Sequence, residues 1–226
     1  MILLAIDTAA SLCAACVHDG DAGAELGREV LNIGKGHAER LIGVIESALG
    51  RAGLAYADLD RVGVSIGPGS FTGVRVGVAT ARGLALALGI PAVGVNTLEA
   101  LAAEAHADFP DRPILAAIDG RRGDLYCAVY APDDAVLSEP AAISVADAIL
   151  LACRHDAALV GNGGDAILAA AGNHPPLDTG LHKATADIGF YARLAAASGA
   201  KNEKPKPLYL RGADAKPQSG FALARA

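Results

Sequence analysis

A glycine-rich turn at residues 67–73, Gly-Pro-Gly-Ser-Phe-Thr-Gly, has the outline of a loop that binds nucleotide phosphates. It follows an apolar segment at 61–66 that predicts a short buried strand, and it opens a helix predicted over 72–88. Backbone N–H groups at such helix starts hold phosphates in many enzymes. The residue count excludes the two common forms of this loop. No lysine follows a glycine between 67 and 83, and Thr72 takes the place of the third glycine of a dinucleotide loop.

The predicted helix at 72–88 is unusual because it has no polar face. It is apolar or small nearly all round, with Arg75 and Arg82 as its only charges. Gly73 and Gly77 lie four residues apart, although an internal glycine costs about 1 kcal/mol relative to alanine. A helix without a polar face has to be buried on more than one side. The glycine pair therefore predicts a smooth stripe against which another backbone packs, either in the same chain or in a second protein chain.

Other segments are assigned by their periodicity. Apolar alternation predicts strands, and apolar residues at three- and four-residue spacing predict helices. Ser70 and Thr72 suit the N-cap of the helix at 72–88, and Thr97 suits that of a helix ending near Ala105. The remaining predicted elements are strands at 2–6, 12–18, 24–31 and 92–95 and an amphipathic helix at 36–53.

Two aspartates occupy equivalent places in an internal repeat. An apolar strand ends in Ala-Ile-Asp at Asp7 and again at Asp119, 112 residues later. In both copies a small polar turn and a second strand follow, and helices come after them. The repeat predicts a duplicated α/β fold with two lobes, at 1–103 and 104–226, the second ending in a basic tail at 201–226.

This ground plan resembles the actin, Hsp70 and sugar-kinase (ASKHA) superfamily, in which two such turns hold ATP phosphates across a cleft. The resemblance implies two lobes, each with a mixed sheet flanked by helices. It also implies a glycine pair near the adenosine, a role that Gly163 and Gly164 match. Because Arg121 and Arg122 interrupt the second turn, we expect the cleft to be vestigial. Its predicted residues are Asp7, Thr8, Asp119, Gly120, Gly163 and Gly164.

The net charge and the hydropathy of the chain argue against two classes of function, nucleic-acid binding by this chain alone and a role within a membrane. The net charge is −6, but residues 201–226 are basic, so residues 1–200 hold 13 basic and 23 acidic residues. Neutralisation of phosphates supplies most nucleic-acid affinity, so an acidic body argues against autonomous RNA binding. The tail is either solvated or contacts RNA or an acidic partner. No apolar run approaches the ~20 residues that cross a bilayer. We therefore expect a cytoplasmic protein with no membrane segment and no signal peptide.

The cysteines and histidines predict no metal site. Cys13 and Cys16 have the spacing of a redox or zinc half-site, but residues three apart in a strand point to opposite faces of the sheet. No second Cys-x-x-Cys completes such a site. The six histidines form neither an HxxxH nor an HExxH pattern. We therefore expect structural thiols.

Four segments carry a more specific resemblance. They are AIDTAASLCAACV (5–17), GHAERLIGVIESAL (36–49), SIGPGSFTGVRVGVATARGLALALGIPAVGVNTLEALA (65–102) and KPLYLRGADAKPQ (206–218). Together they resemble the TsaB (YeaZ) family, a subunit of the bacterial machinery that makes threonylcarbamoyladenosine in tRNA. The likeness is dense over residues 1–103 and returns at 207–218, whereas the region between matches mainly in its layout.

The resemblance implies a non-catalytic subunit without catalytic residues. The related catalytic subunit TsaD holds a metal with two histidines four apart, and the matching positions here are Thr97 and Leu101. Neither residue can ligate a transition metal. ATP and metal are therefore expected to belong to partner subunits. The alternatives are an independent ATP-dependent enzyme that uses Asp7 or Asp119 and, more weakly, a metal-dependent peptidase.

The resemblance also implies partners. TsaB proteins pair through the helices that match 37–51 and 72–88, either with a TsaD-like catalytic subunit or, when alone, as a homodimer. A TsaE-like ATPase is expected to dock on the pair, and tRNA is expected to be contacted indirectly. His37 is expected in a polar interface or capping role. The implied interface residues are His37, Arg40, Leu41, Val44, Ile45, Gly73, Arg75, Val76, Gly77 and Thr80.

Overall fold

Two mixed β-sheets form the framework of the chain. The computed structural model describes residues 1–121, 123–172, 177–199 and 204–211. The first sheet has the strand order β3-β2-β1-β4-β5 and the second the order β8-β7-β6-β9. The strands are β1 (Ile2–Asp7), β2 (Leu12–Asp19), β3 (Ala24–Asn32), β4 (Arg61–Ser65), β5 (Ala92–Val95), β6 (Ile114–Asp119), β7 (Asp124–Tyr130), β8 (Val136–Ser144) and β9 (Ala158–Val160).

In the described ranges, six α-helices cover the sheets. They are α1 (His37–Ala52), α2 (Phe71–Leu88), α3 (Thr97–Ala105), α4 (Val145–His155), α5 (Gly164–Ala171) and α6 (Ile188–Ala197). β1 and β6 are each antiparallel to the following strand and parallel to the strand on their other side. The repeat read from the sequence is therefore confirmed, since β1 and β6 occupy the same place in their sheets and end at Asp7 and Asp119.

The sheets and helices stack in five layers. Alternate residues of β1 face opposite sides: Leu4 and Ile6 pack with α1 and α2, whereas Leu3 and Ala5 pack with α3 and α6. The layer of α3 and α6 also contacts the second sheet, whose far face is covered by α4 and α5. The central core therefore lies between the two sheets, and α1 and α2 form one outer wall.

The C-terminal part of the described chain returns to the first sheet. α6 packs on β1, β2, β4 and β5, and the Leu208 N–H donates to the Ile66 carbonyl oxygen at 2.8 Å. Arg61 on β4 donates to the Ala195 carbonyl oxygen of α6 at 2.7 Å. The division at residue 103 stays a prediction, but 188–197 packs on the first sheet and 204–211 begins on that sheet.

Two predicted helix caps have different outcomes. The Ser70 side chain accepts a hydrogen bond from the Gly73 N–H and caps α2, as expected. The prediction that Thr97 caps α3 is wrong, because the Asn96 side chain accepts from the Leu98 N–H and Thr97 is the first helical residue. Both residues can cap a helix, and a shift of one position decides which of them does so.

α2 is long and apolar enough to cross a membrane by length and composition, but those properties are also common in the core helix of a globular domain. One side of α2 packs against β4, β1 and β5, and Val74, Val78 and Ala81 are buried there. We therefore describe α2 as a helix of the outer wall. No other described helix meets the same test.

The positions of Cys13 and Cys16 agree with the prediction that their side chains lie on opposite faces of a strand. Cys13 packs with the helices of the outer wall and Cys16 packs in the central core, so the two thiols lie on opposite faces of β2. Burial raises the pKa of Cys13 to about 11 and that of Cys16 to about 12. All four cysteines are free, and Cys153 is exposed.

Candidate functional site

The two helices of the outer wall differ in charge: α2 exposes two arginines and no acidic side chain, whereas α1 exposes two glutamates and two arginines. On α2 the exposed positions recur at three- and four-residue spacing, which places them along one side of the helix. We call this set, Thr72, Arg75, Ala79, Arg82, Gly83 and Leu86, the outer face of α2. Leu86 is 80% exposed, and Ile42 on the neighbouring α1 is 47% exposed. Apolar and small residues thus face outward on a helix whose other side already fills the core.

Several residues expected at a partner interface are buried inside the chain. Leu41, Val44 and Ile45 point inward from α1 into the apolar core of the outer wall, where α1 packs on β2 and β3. Their exposed fractions are 2% or less, so they are unavailable to a partner. The prediction was wrong for these three, because α1 is amphipathic and they form its apolar side rather than its outer side.

The glycine pair of α2 is also occupied by the chain itself. A Cβ added at Gly73 would lie 2.0 Å from the Thr8 carbonyl oxygen, and one at Gly77 would lie 2.5 Å from Thr8 Oγ1. The Thr8 hydroxyl donates to the Gly73 carbonyl oxygen at 2.7 Å. Gly73 and Gly77 do form a smooth stripe on α2, as predicted. The segment that packs against this stripe is the turn after β1 of the same chain. Gly73 and Gly77 therefore pack against a segment of their own chain, and the predicted contact with a partner stays a prediction.

The other interface residues differ in exposure. Arg40 and Arg75 are exposed, and Val76 and Thr80 are half-buried. His37 is buried, with Nε2 lying 3.1 Å from the Leu12 carbonyl oxygen, so its ring links the start of α1 to the start of β2. It makes no side-chain capping bond, since Gly36 is the N-cap of α1.

A cleft of about 600 Å³ separates the two sheets at the ends of β1 and β6. On the first side it is bounded by the turn after β1 and by the glycine turn at the start of α2. On the second side Asp119, Gly120 and Arg121 line it, together with Tyr126 and Asn162. Arg122 lies outside the described residues. The duplicated turns thus meet across a cleft, as the resemblance to the ASKHA superfamily implied.

Asp7 does not reach this cleft. It is 1% exposed, and its carboxylate accepts hydrogen bonds from the Ala9 N–H at 2.9 Å and from the Thr185 hydroxyl at 2.6 Å. The Tyr191 hydroxyl lies 2.7 Å from Thr185 Oγ1. Burial raises the pKa of Asp7, and hydrogen bonds from Ser65 and Thr185 oppose that rise. Asp7 is therefore the inner end of a buried polar chain, and its predicted place in the cleft was wrong.

Asp119 and Gly120 do line the cleft. The Asp119 carboxylate accepts from the Arg121 N–H at 2.8 Å, and the Asp119 N–H donates to Asn162 Oδ1 at 3.0 Å. Arg121 has a positive φ of 60°, and the Gly120 N–H closes the turn by donating to the Asp124 carbonyl oxygen at 3.0 Å. The turn is therefore held by its own backbone and by Asn162.

The remaining predicted cleft residues are packed away. Thr8 is fully buried beneath α2. Gly163 abuts β6, where an added Cβ would lie 3.0 Å from the Ala117 carbonyl carbon, and Gly164 faces Leu159. The two glycines let α5 start close to the second sheet, and their predicted place in a nucleotide cleft stays a prediction.

The two positions that match the TsaD metal ligands lie in the core. Thr97 is fully buried and Leu101 is 2% exposed. Within the described ranges, no group of three histidine, cysteine or carboxylate side chains is arranged to hold a metal ion.

A cluster of two aromatic rings and an arginine was not predicted. Arg75 lies 3.6 Å above the centre of the Phe71 ring, and its Nε donates to the Tyr209 hydroxyl at 2.8 Å. The Phe71 and Tyr209 rings are 5.7 Å apart. Both rings are more than half exposed, at the end of the outer face of α2 nearest the cleft. The segment around Tyr209 was noted only as part of a resemblance, and its 134-residue separation from Arg75 hides the contact.

Comparison with known proteins identifies relatives. Residues 32–191 match the sequence model of the family described as TsaD, tRNA N6-adenosine threonylcarbamoyltransferase. The tRNA threonylcarbamoyladenosine biosynthesis protein TsaB of Escherichia coli K12 is 37% identical over 59% of this chain and 57% of its own length. TsaB of Bacillus subtilis 168 is 37% identical over 62% of this chain and 59% of its own. The alignments thus span less than two thirds of these relatives.

Solved structures agree with the fold. YeaZ from Pseudomonas aeruginosa superimposes with a TM-score of 0.74 at 25% identity, covering 92% of this chain and 99% of that one. A second crystal structure, described as a protein with similarity to peptidase YeaZ from the same organism, gives a TM-score of 0.77 at 25% identity and covers 93% of this chain and 99% of that one. Fold and sequence comparisons therefore point to the same relatives.

Proposed function

We propose that this chain, which belongs to the TsaD family and within it to the TsaB proteins, acts as a partner subunit rather than as a catalyst. Its role is to bind a TsaD-like catalytic subunit and hold it in an active state. The TsaD-like subunit then transfers threonylcarbamoyl to the tRNA adenosine next to the anticodon. The TsaB relatives are named for tRNA threonylcarbamoyladenosine biosynthesis, which supports this pathway.

The observation that carries the proposal is the outer face of α2. Leu86, Ala79 and Gly83 face outward from a helix with no acidic residue, and the inner side of that helix is already packed. Burying such a face gains roughly 25 cal/mol for each Å² of apolar surface removed from water. Ile42 and Gly43 extend the face onto α1. The small outward residues of α2, together with Gly43 on α1, suit close packing against a helix pair of another subunit.

Arg75 places a positive charge at one end of this face. It is exposed, and its guanidinium is already positioned by Phe71 and Tyr209. An arginine held in advance loses less side-chain entropy when it pairs with a carboxylate of a partner. The same face serves a TsaD-like subunit or a second copy of this chain, so a homodimer and a heterodimer are competing pairings.

The burial of residues that could have carried catalysis supports a non-catalytic role for this chain. Asp7 is buried behind Ala9 and bonded to Thr185, so only one of the two repeat aspartates borders the cleft. Thr97 and Leu101, which the resemblance matches to the TsaD metal ligands, are buried in the core. We propose that ATP and metal are held by partner subunits, with a TsaE-like ATPase docking on the pair and tRNA contacted through it. The complex is proposed to act in the cytoplasm.

Reconstitution tests this function. The purified chain is mixed with TsaD, TsaE and tRNA, the complex is isolated, and threonylcarbamoylation of the tRNA is measured with and without this chain. We expect the chain to co-elute with TsaD and modification to depend on it. If modification proceeds equally well without the chain, or if the chain alone transfers threonylcarbamoyl, the proposal is wrong.

An independent ATP-dependent enzyme is the second candidate. The cleft of about 600 Å³ lined by Asp119 is the observation in its favour, since small-molecule sites have volumes of about 300–1,000 Å³. Calorimetry of the isolated chain with ATP and magnesium separates the two functions. Micromolar binding that is lost on Asp119→Ala would replace the first proposal with the second.

A further inference from the structure

The segment at 204–211 connects the two walls of the cleft. Its start packs on the first sheet: Pro205 is buried, and an added Cβ at Gly94 would lie 3.4 Å from Pro205 Cβ. The Leu208 N–H then donates to the Ile66 carbonyl oxygen, directly before the glycine turn. The segment is thereby fixed to the first side of the cleft before it reaches Tyr209.

Two residues further along, the segment holds the second side. The Arg211 guanidinium donates to the Gly120 and Arg121 carbonyl oxygens, each at 3.1 Å, and pairs with the Asp124 carboxylate. These are residues of the turn that contains Asp119. Arg211 also lies 5.7 Å from the centre of the Tyr126 ring, which lines the cleft. One side chain thus satisfies two backbone carbonyl groups and one carboxylate of that turn.

Tyr209 and Arg211 therefore bridge the cleft over three residues. Tyr209 contacts Phe71 and Arg75 at the start of α2, and Arg211 donates hydrogen bonds to the turn that contains Asp119. Three residues of extended chain span about 10 Å at most. This connection is short and is fixed on both sides of the cleft. Because it cannot absorb a displacement at one end, the displacement is transmitted to the other end.

We propose that residues 204–211 form a strap that couples the outer face of α2 to the Asp119 turn across the cleft. In this device Tyr209 is a positioning residue for Arg75, and Arg211 is a positioning residue for the turn. A change at the outer face of α2 that moves Arg75 away from Tyr209 loosens the strap, and the Asp119 turn is released. This inference does not depend on the proposed function, because the strap is a property of the single chain.

Hydrogen exchange in the isolated protein tests the coupling. The reporter is the Gly120 amide, which donates to the Asp124 carbonyl oxygen inside the turn. Arg75→Ala removes the contact with Tyr209, and we expect Gly120 to exchange about two- to fivefold faster, the size of effect that loss of an exposed cation–π contact produces. Arg211→Ala acts on the turn directly and should give a larger increase.

Two controls make the result decisive. Arg82→Ala removes an arginine from the same face of α2 and should leave Gly120 exchange unchanged. The Ala5 amide in the core strand reports global opening and should be unaffected in all three variants. The strap is refuted if Arg75→Ala leaves Gly120 unchanged while Arg211→Ala accelerates it, or if Arg75→Ala accelerates Ala5 and Gly120 equally. Acceleration confined to Gly120 and its turn supports it.

Discussion

Thr8 lies against Gly77, so that a Cβ at Gly77 would stand 2.5 Å from Thr8 Oγ1. The Thr8 hydroxyl also donates to the Gly73 carbonyl oxygen on the preceding turn of α2. The two glycines thus bring a helix and the turn after β1 together within one chain. Because the inner side of α2 is filled in this way, only its outer face is free for the proposed interaction with a partner.

Glycine substitutions on α2 should have opposite effects on stability. Gly73→Ala places a methyl group 2.0 Å from the Thr8 carbonyl oxygen, and we expect it to lower the free energy of unfolding by about 1–3 kcal/mol, as overpacking does. Gly83 has no atom within 4 Å of an added Cβ, so Gly83→Ala should raise stability by about 0.5–1 kcal/mol. Denaturant unfolding measures both changes. Equal effects at the two positions would contradict the packing described.

Asp7 should make stability depend on pH in an unusual direction. Its folded-state pKa is raised by burial, so above its unfolded pKa of about 3.9 the native state binds more protons than the unfolded chain, and stability falls as pH rises. Asp7→Asn does not titrate, so its stability relative to the parent chain should increase from pH 4 upward. Each unit of the shift corresponds to about 1.4 kcal/mol. Denaturant midpoints of both proteins at several pH values provide the test, and a constant difference would contradict it.

The thiols should differ sharply in reactivity. Cys153 is exposed, whereas burial raises the pKa values of Cys13, Cys16 and Cys127 to about 11, 12 and 12. Because the thiolate is the nucleophile, a maleimide at neutral pH should label one cysteine rapidly and the others only on unfolding. Mass spectrometry of the labelled protein counts the modified sites, and Cys153→Ser is the control. Rapid labelling of Cys13 or Cys16 would show that β2 is not buried as described.

ATP should bind weakly or not at all to the isolated chain. Only one repeat aspartate borders the cleft, and the turn beside it is occupied by Arg211. We expect calorimetry with ATP and magnesium to show no binding in the micromolar range for the parent chain and no change on Asp119→Ala. Asp111→Ala, which removes an exposed carboxylate outside the cleft lining, is the control in case binding is observed.

The repeat and most element bounds could be predicted from the sequence because they depend on local periodicity. β1 was predicted over 2–6 and runs from Ile2 to Asp7, and α1 was predicted over 36–53 and runs from His37 to Ala52. Such patterns record which side of an element is apolar. They record much less about what covers that side.

The wrong predictions at the site arose because sequence patterns do not show which segment covers each side of an element. Asp7 and Asp119 end the same tripeptide, yet Thr185 reaches Asp7 from 178 residues away and helps to enclose it. Gly73 and Gly77 correctly indicated a close approach of two backbones, but glycine spacing does not reveal whose backbone approaches. The Arg75–Tyr209 contact is equally remote in sequence. Long-range packing, rather than residue type, distinguishes the outer face of α2 from its inner side.

The most direct test of the account is the affinity of the chain for TsaD when a charge is placed on the outer face of α2. Leu86→Arg changes a residue that is 80% exposed, so the fold should be unaffected, while a buried interface would lose at least about tenfold in affinity, or about 1.4 kcal/mol. Leu150→Arg, at a 57% exposed position on α4, is the matched control. We predict that Leu86→Arg weakens TsaD binding and tRNA modification together and that Leu150→Arg changes neither. Unchanged TsaD binding by a correctly folded Leu86→Arg protein would contradict the account.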